Sequence, residues 1–462
     1  MQPTSTAQAH AIGSRIYGVR LLYQPHVQRV VARLCLLVCG LDFLFQVASG
    51  YIGLPQKNLK YDFEQFRRAA LDIGAGRNPY QYFLDLHCSA WCLGGYIYTP
   101  LVAFVMTPLN GLSDHAAAGV WIATSQLLVL ATIVILYLGL RRDVSPTALA
   151  LLLAAGLVFQ PLFDNFNFLQ IGAILLAVMA GAAVLYLRGK ATTSLGAGAL
   201  VALAAVIRVT PVTAIPALLP VGWLSPSSRA RGGSAREVAA ALAGLVLVCG
   251  VLVGTMLLLI PYTDQFFTQV LPRIGGGVGA FQNKSFAGLV NESLFLFGAP
   301  QPPAAVLALV TLLLFIAPPV VLAARASSAV LGERAVRAAY FGALVAAMPI
   351  VSTITWRHHM LVSYLAVVLL AVALWPRSGF PASRNARWLL VLAYLLMYVD
   401  QPLLDALALG GGITNPTTFD IVRALVIEYA NLWGMVALWL ASLLVLLAAA
   451  TPQRGSLAPG RA

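Results

Sequence analysis

The chain has 462 residues, 60% of them hydrophobic and 10% charged, with mean hydropathy +0.84. That usage excludes a soluble globular domain, and the apolar runs are continuous rather than alternating, which excludes a transmembrane barrel and leaves an all-α polytopic membrane protein. The net charge of +13 gives no reason to expect nucleic acid as a partner, because a basic excess in a membrane protein is the positive-inside bias of its cytoplasmic loops.

A span takes roughly 20 mostly apolar residues. The first 26 residues are polar and end near an apolar stretch too long for the core of a signal peptide, without a small-residue cleavage site after it; 31–50 is expected to be a retained first span behind a cytoplasmic tail at 1–30. Further spans are expected at 117–140, 146–163, 168–187, 237–261, 303–324, 338–354, 360–376, 388–400 and 422–449, before a cytoplasmic tail at 450–462. Arg141, Arg142, Arg188, Lys190, Arg325, Arg334 and Arg337 fall on one side of this assignment. Asp62, Glu64, Asp72, Asp85, Asp264, Glu292, Asp400, Asp405 and Asp420 fall on the other. Both termini are thereby expected in the cytoplasm, within one transmembrane domain over 31–449. Its extracytoplasmic face carries a long first loop at 51–96, a second at 263–302, and shorter ones near 353–359 and 400–420.

Two segments do not fit a straight span. Residues 97–112 are short and carry Pro100 and Pro108, and residues 194–224 carry Arg208 and Pro211 in an apolar stretch that must begin and end in the cytoplasm. Both are expected to be broken helices lining a cavity, since irregular backbone at membrane depth needs protein or water to receive its polar groups. With them the expected count is about 10–12 spans. Cys35, Cys39 and Cys249 sit in apolar spans as core residues. Cys88 and Cys92 face an oxidising compartment in this topology and suit a loop disulfide; a metal site of His87 with this pair lacks a fourth ligand.

The chemistry-bearing residues lie in the extracytoplasmic loops and the broken segments. "YDFEQFRRAALDIGAGRNPYQYF", residues 61–83, begins as a short helix with Asp62 and Glu64 at its N-terminus, where carboxylates suit the helix dipole, and ends at Asn78, Pro79 and Tyr80. Asp62-Phe63-Glu64 has a spacing that admits a divalent metal without requiring one. Arg208 stands mid-span, where a cation costs about 2.5–3.5 kcal/mol on insertion scales and is kept because something anionic meets it. Asp42 or Glu428 as a structural partner, and a phosphate headgroup, are the alternatives. "PLFDNFNFLQIG", residues 161–172, offers Asp164, Asn165, Asn167 and Gln170 at a hairpin end. "RIGGGVGAFQNKSFAGL" sets four glycines before Asn283 and Lys284, as a mobile loop or a gate. "TITWRHHM" places Trp356, Arg357, His358 and His359 at a membrane boundary, and two adjacent histidines in a chain with six exceed what an interface anchor needs.

Taken in order, "YDFEQFRRAALDIGAGRNPY", "YTPLVAFVMTPL", "NFNFLQIGAILLAV", "GALVALAAVIRVTP", "NKSFAGL" and "ITWRHHM" resemble glycosyltransferase family 87, over residues 61–360. The family more often shows Lys where Arg208 stands, Gly-Gln-x-Asn where this chain has Asn167-Phe168-Leu169-Gln170, and Ser-Pro at Ser352-Thr353. The resemblance implies a GT-C-type fold and transfer of a single sugar from a polyprenyl-phosphate donor to a glycolipid or glycan acceptor, with the active site extracytoplasmic in a cell membrane and no cofactor. Mannose is the expected sugar and arabinose the alternative. A flippase of polyprenyl-linked sugars and a ligase using a polyprenyl diphosphate are the rivals. The family's general base maps to Asp62. Arg208, His358, His359, Arg357 and Lys284 are then expected on the donor phosphate, and Glu64, Tyr80, Asn167, Gln170 and Asn283 on the sugar or acceptor, with no metal ligand.

Overall fold

The computed structural model describes residues 25–53, 62–85, 95–223, 233–275, 283–327, 332–375, 384–399, 403–404 and 418–451. The expected pair Cys88 and Cys92, with His87, lies outside the described residues, as do Asp400, Asp405 and most of the glycine run after Ile274. Among the described residues every regular element is a helix. Six are long and apolar enough to cross a membrane: His26–Ser49, Asp114–Leu140, Ala235–Leu259, Ala304–Arg325, Glu333–Val351 and Ala430–Ala450. The protein is a multi-pass membrane protein.

The remaining expected spans are shorter or broken. Pro146–Leu157 and Gln160–Asn167, expected as one straight span, meet at 41°. The span expected from 168 starts at Gly172, because Leu169 takes a left-handed backbone (φ 54°) that no helix tolerates. The one expected at 422–449 is two helices, Thr418–Glu428 and Ala430–Ala450. Both segments read as broken helices are broken. Pro100–Met106 runs into a 3₁₀ turn, Thr107–Gly111, and Ala191–Ile207 ends at an extended Arg208 before a 3₁₀ segment, Thr210–Leu218. Among the described residues six helices, or seven if the bent pair is one span, are long and apolar enough to cross, against the 10–12 spans expected; Pro100–Gly111, Gly172–Tyr186, Ala191–Ile207, Phe286–Leu296 and Arg357–Ala373 are shorter apolar helices.

The bundle is built around Glu333–Val351, buried from Ala335 to Ile350. Ala338, Ala339, Gly342, Ala343, Ala346 and Ala347 let Ala430–Ala450, Ser363–Ala373 and the 3₁₀ segment after Arg208 pack close against it. In lipid, where apolar side chains gain nothing by leaving one another, such close contact is what holds helices together. Ala191–Ile207 and Gly233–Leu259 approach to backbone contact: a Cβ on Gly198 would lie 1.9 Å from the Ala241 carbonyl oxygen, and one on Gly244 2.0 Å from that of Leu195. One end of the central helix is closed by ion pairs, Arg337 to Glu333 (2.6 Å) and Glu237 (2.8 Å) and Arg334 to Asp143 (2.7 Å). At its other end the chain turns through Ser352–Trp356 into the 3₁₀ turn Arg357–Val362, beside a short helix, Asp62–Gly74, from the first loop.

Candidate active site

The Asp62–Gly74 helix buries Asp62, Phe63, Phe66, Arg67, Ala69, Ala70 and Ile73, a stripe at helical spacing, and leaves Glu64 and Arg68 exposed. Arg67 pins it to the segment before the Asp114–Leu140 helix, donating to Asn110 Oδ1 (2.9 Å) and the Leu112 carbonyl (2.7 Å) and pairing with Asp114 (3.3 Å). The Phe66 ring meets those of Tyr96 and Tyr98 edge-on. The first residue of this helix is therefore held in a fixed place.

That residue is Asp62, 8% exposed. Its Oδ2 accepts a short hydrogen bond from Gln170 Nε2, and its Oδ1 makes none among the described residues. Gln170 in turn accepts from the Tyr98 hydroxyl at 3.0 Å. The left-handed Leu169 turns Gln170 toward Asp62, and Trp121 Nε1 holds the Leu169 carbonyl at 2.8 Å. A β-carbon residue at positive φ costs about 1–3 kcal/mol and persists where its surroundings over-determine it. Burial raises the Asp62 carboxyl to about 6, against the opposing pull of the Gln170 bond and the Arg208 charge.

On the far side of Tyr98 lies Arg208, where the Ala191–Ile207 helix breaks. Its guanidinium stands 5.9 Å over the Tyr98 ring and 2.7 Å from His359 Nδ1, and no carboxylate pairs with it among the described residues. His358 closes the circle: its Nε2 is 3.9 Å from Asp62 Oδ2 and its ring centroid 4.2 Å from that of His359. Arg208, His359 and Tyr98 line a cavity of about 350 Å³ whose other walls include the polar Thr99, Thr210, Thr213, Ser352 and Thr353 and apolar groups such as Ile97, Val212, Phe266, Leu271, Ala308 and Leu312. A larger groove of about 840 Å³ runs along the exposed face of the Asp62–Gly74 helix, with Glu64, Arg68, Asp72, Arg77, Tyr82 and Tyr262 in its walls.

The other expected site residues separate from this cluster. Lys284 does not reach it. Its Nζ lies 2.6 Å from the Glu428 carbonyl and 3.4 Å from Glu428 Oε2, and both side chains are 1% exposed. Its backbone N–H donates to the Thr355 carbonyl (2.6 Å), while the Asn283 side chain binds the backbone of Thr353 (2.9 Å) and Thr355 (2.8 Å). Asn283 and Lys284 thus clamp the Ser352–Trp356 turn. Arg357 is held by both oxygens of Asp164, with Nη2 to Oδ1 at 2.9 Å. Tyr80 is fully buried and donates to the Tyr98 carbonyl (3.0 Å), supporting the ring beneath Arg208. Asn167 is half-buried at the end of Gln160–Asn167, and Glu64 lies in the outer groove. Glu428 and Asp42, named above as partners of Arg208, take Lys284 and Gln46 instead, the latter at 2.6 Å. Tyr98, Trp121 and Leu169 belong to the site and were not expected there.

The family model for glycosyltransferase family 87 matches residues 96–353, more than half of the chain. The chain belongs to glycosyltransferase family 87. It is a membrane glycosyltransferase. The match takes in Tyr98, Gln170, Arg208 and Lys284 and stops short of Asp62 and of Arg357–His359. No curated protein matches this family 87 chain. Two solved structures of ArnT from Cupriavidus metallidurans are similar to it. The one bound to undecaprenyl phosphate has 14% identity and a TM-score of 0.42, covering 92% of this chain and 77% of that one. The apo structure has 14% identity and a TM-score of 0.42, covering 88% and 76%.

Proposed function

We propose that the protein transfers one sugar, mannose in the first instance, from a polyprenyl-phosphate donor to a hydroxyl of a glycolipid or glycan on the extracytoplasmic face. The observation that carries this reading is a cation, Arg208, that pairs with no carboxylate among the described residues, in the wall of a largely apolar cavity and one residue, Tyr98, away from the Asp62–Gln170 pair. An apolar space ending in a fixed positive charge suits a lipid chain that ends in a phosphate.

The chemistry follows from the groups. Asp62, whose Oδ1 makes no hydrogen bond among the described residues, takes the proton of the acceptor hydroxyl as its oxygen attacks the anomeric carbon. The bond from that carbon to the phosphate oxygen breaks, its electron pair stays on the phosphate, and the configuration inverts through an oxocarbenium-like transition state. A phosphate is a weak base, so it leaves without a general acid, and Arg208 stabilises the charge gathering on it. Gln170 fixes the carboxylate, and the groove beside Glu64 is the proposed approach for a polar acceptor.

The test is transfer of labelled sugar by the purified protein in lipid, from polyprenyl-phosphate mannose, from polyprenyl-phosphate arabinose and from a polyprenyl-diphosphate glycan. Turnover with a monophosphate sugar is expected. Turnover with the diphosphate alone would replace this reading with that of a ligase, and movement of the lipid-linked sugar across the bilayer without transfer would make the protein a flippase.

A further inference from the structure

The imidazole of His359 has two neighbours on one nitrogen. The Trp356 backbone N–H donates to Nδ1 at 3.1 Å, and Arg208 Nη2 stands 2.7 Å from the same atom. A backbone N–H and a guanidinium carry protons and no lone pair to share. Nδ1 must therefore accept in both contacts, which sets the ring proton on Nε2; a doubly protonated ring would turn N–H against N–H. This tautomer follows from the partners, as tautomers at a histidine generally must.

The ring is held in that pose from several sides. The His359 backbone N–H donates to the Trp356 carbonyl at 2.9 Å, so residues 356 and 359 bond each other reciprocally. The Trp356 ring lies parallel to the imidazole, centroids 6.1 Å apart, and the His358 ring meets it edge-on at 4.2 Å. Of the charged groups around the cluster, Asp62 accepts from Gln170 and Arg357 is held by Asp164. Arg208 is thus gripped by an imidazole and an aromatic ring and, among the described residues, by no acid.

We propose that His359 is the positioning residue for Arg208: an uncharged acceptor that aims the guanidinium at the cavity and does not neutralise the charge that meets the anion that enters. That the anion is a donor phosphate rests on the function proposed above. The chain uses the opposite arrangement elsewhere, Asp164 facing Arg357 and Glu428 facing Lys284, where an acid orients the cation and cancels its charge. A carboxylate at position 359 would orient Arg208 equally well and spoil the site for an anion. His359 is on this account not itself a phosphate ligand, contrary to the expectation from the sequence.

The experiment compares undecaprenyl-phosphate binding by the full-length protein in lipid nanodiscs for wild type, His359→Asn, His359→Leu and His359→Asp. The Asn side-chain oxygen replaces Nδ1 and is expected to keep affinity to within about threefold, while Leu, with no acceptor, loses about tenfold and Asp, which quenches the charge, about 100-fold. A residue needed only for packing would put Leu and Asp in a different order or make them alike. In parallel, ¹⁵N NMR of the histidine-labelled, ligand-free protein, with the signal assigned by its loss in His359→Asn, is expected to show an unprotonated Nδ1 and a protonated Nε2. A protonated Nδ1, or an Asp variant that binds as tightly as the Asn one, overturns the proposal. A wild type with the expected tautomer that does not bind undecaprenyl phosphate supports the pairing of His359 with Arg208 and overturns the donor reading instead.

Discussion

Two cations near the Ser352–Trp356 turn, half-buried Arg208 and buried Lys284, have opposite fates. Lys284 is closed in with Glu428, each 1% exposed, and its backbone and neighbour Asn283 tie the turn down. Arg208 faces an imidazole and a tyrosine ring and lines a cavity. Sequence type does not distinguish them, since both are long basic side chains in apolar surroundings. The partner does. A cation matched to a carboxylate is part of the scaffold, whereas one matched to neutral groups retains the charge that a phosphate needs.

The comparison can be broken at each cation. Arg208→Met is expected to cost about 10²–10³ in turnover, the usual loss for one electrostatic group of a transition state, with little loss of thermal stability, because no acid is ion-paired with it among the described residues. Lys284→Met should do the reverse. Breaking this buried ion pair costs about 3–5 kcal/mol of stability, read as a fall in melting temperature in detergent, and the double variant Lys284→Met with Glu428→Gln should recover most of it. If Arg208→Met proved the unstable protein and Lys284→Met the inactive but stable one, the assignment of roles would be inverted.

Asp62 adds a pH signature. Its carboxyl is raised from 3.8 to about 6, and it must be ionised to act as a base, so kcat/KM should climb with pH through about 6 and level off above. Gln170→Leu removes the bond that opposes this shift and should move the midpoint upward. Stability runs the other way. The folded chain holds the Asp62 proton more tightly than the unfolded chain, so this group's contribution is complete below 3.8, falls as pH rises to about 6, and stays low above it. The smallest effect is expected at Tyr80→Phe, which removes one neutral hydrogen bond to the Tyr98 carbonyl and should cost about 1 kcal/mol of stability with turnover nearly unchanged.

Arg208 was legible in the sequence because a mid-span cation beside Pro211 is costly enough to demand a reason, and the break predicted there is present. Asp62 was legible as a carboxylate opening a loop helix, and Gln170 as an amide inside an apolar run. Their pairing was not, since 108 residues separate them and only the fold brings them together. The same holds for Lys284 and Glu428, 144 residues apart, whose pairing with each other carries no signal in the sequence. Tyr98 and Trp121 gave no signal, because an aromatic residue in an apolar run reads as core or as an interface anchor. Leu169 could not have been found from its type, since its contribution is a left-handed backbone that leucine rarely adopts.

The most direct test of the whole account is single-turnover sugar transfer by Asp62→Asn beside wild type, with undecaprenyl-phosphate binding and melting temperature measured on the same preparations. The account predicts that Asp62→Asn binds the lipid phosphate as wild type does, melts at the same or a higher temperature at pH 7 because a buried charge is gone, and transfers no sugar. An Asp62→Asn protein that still turns over at the wild-type rate would remove the base from the mechanism and contradict the central claim.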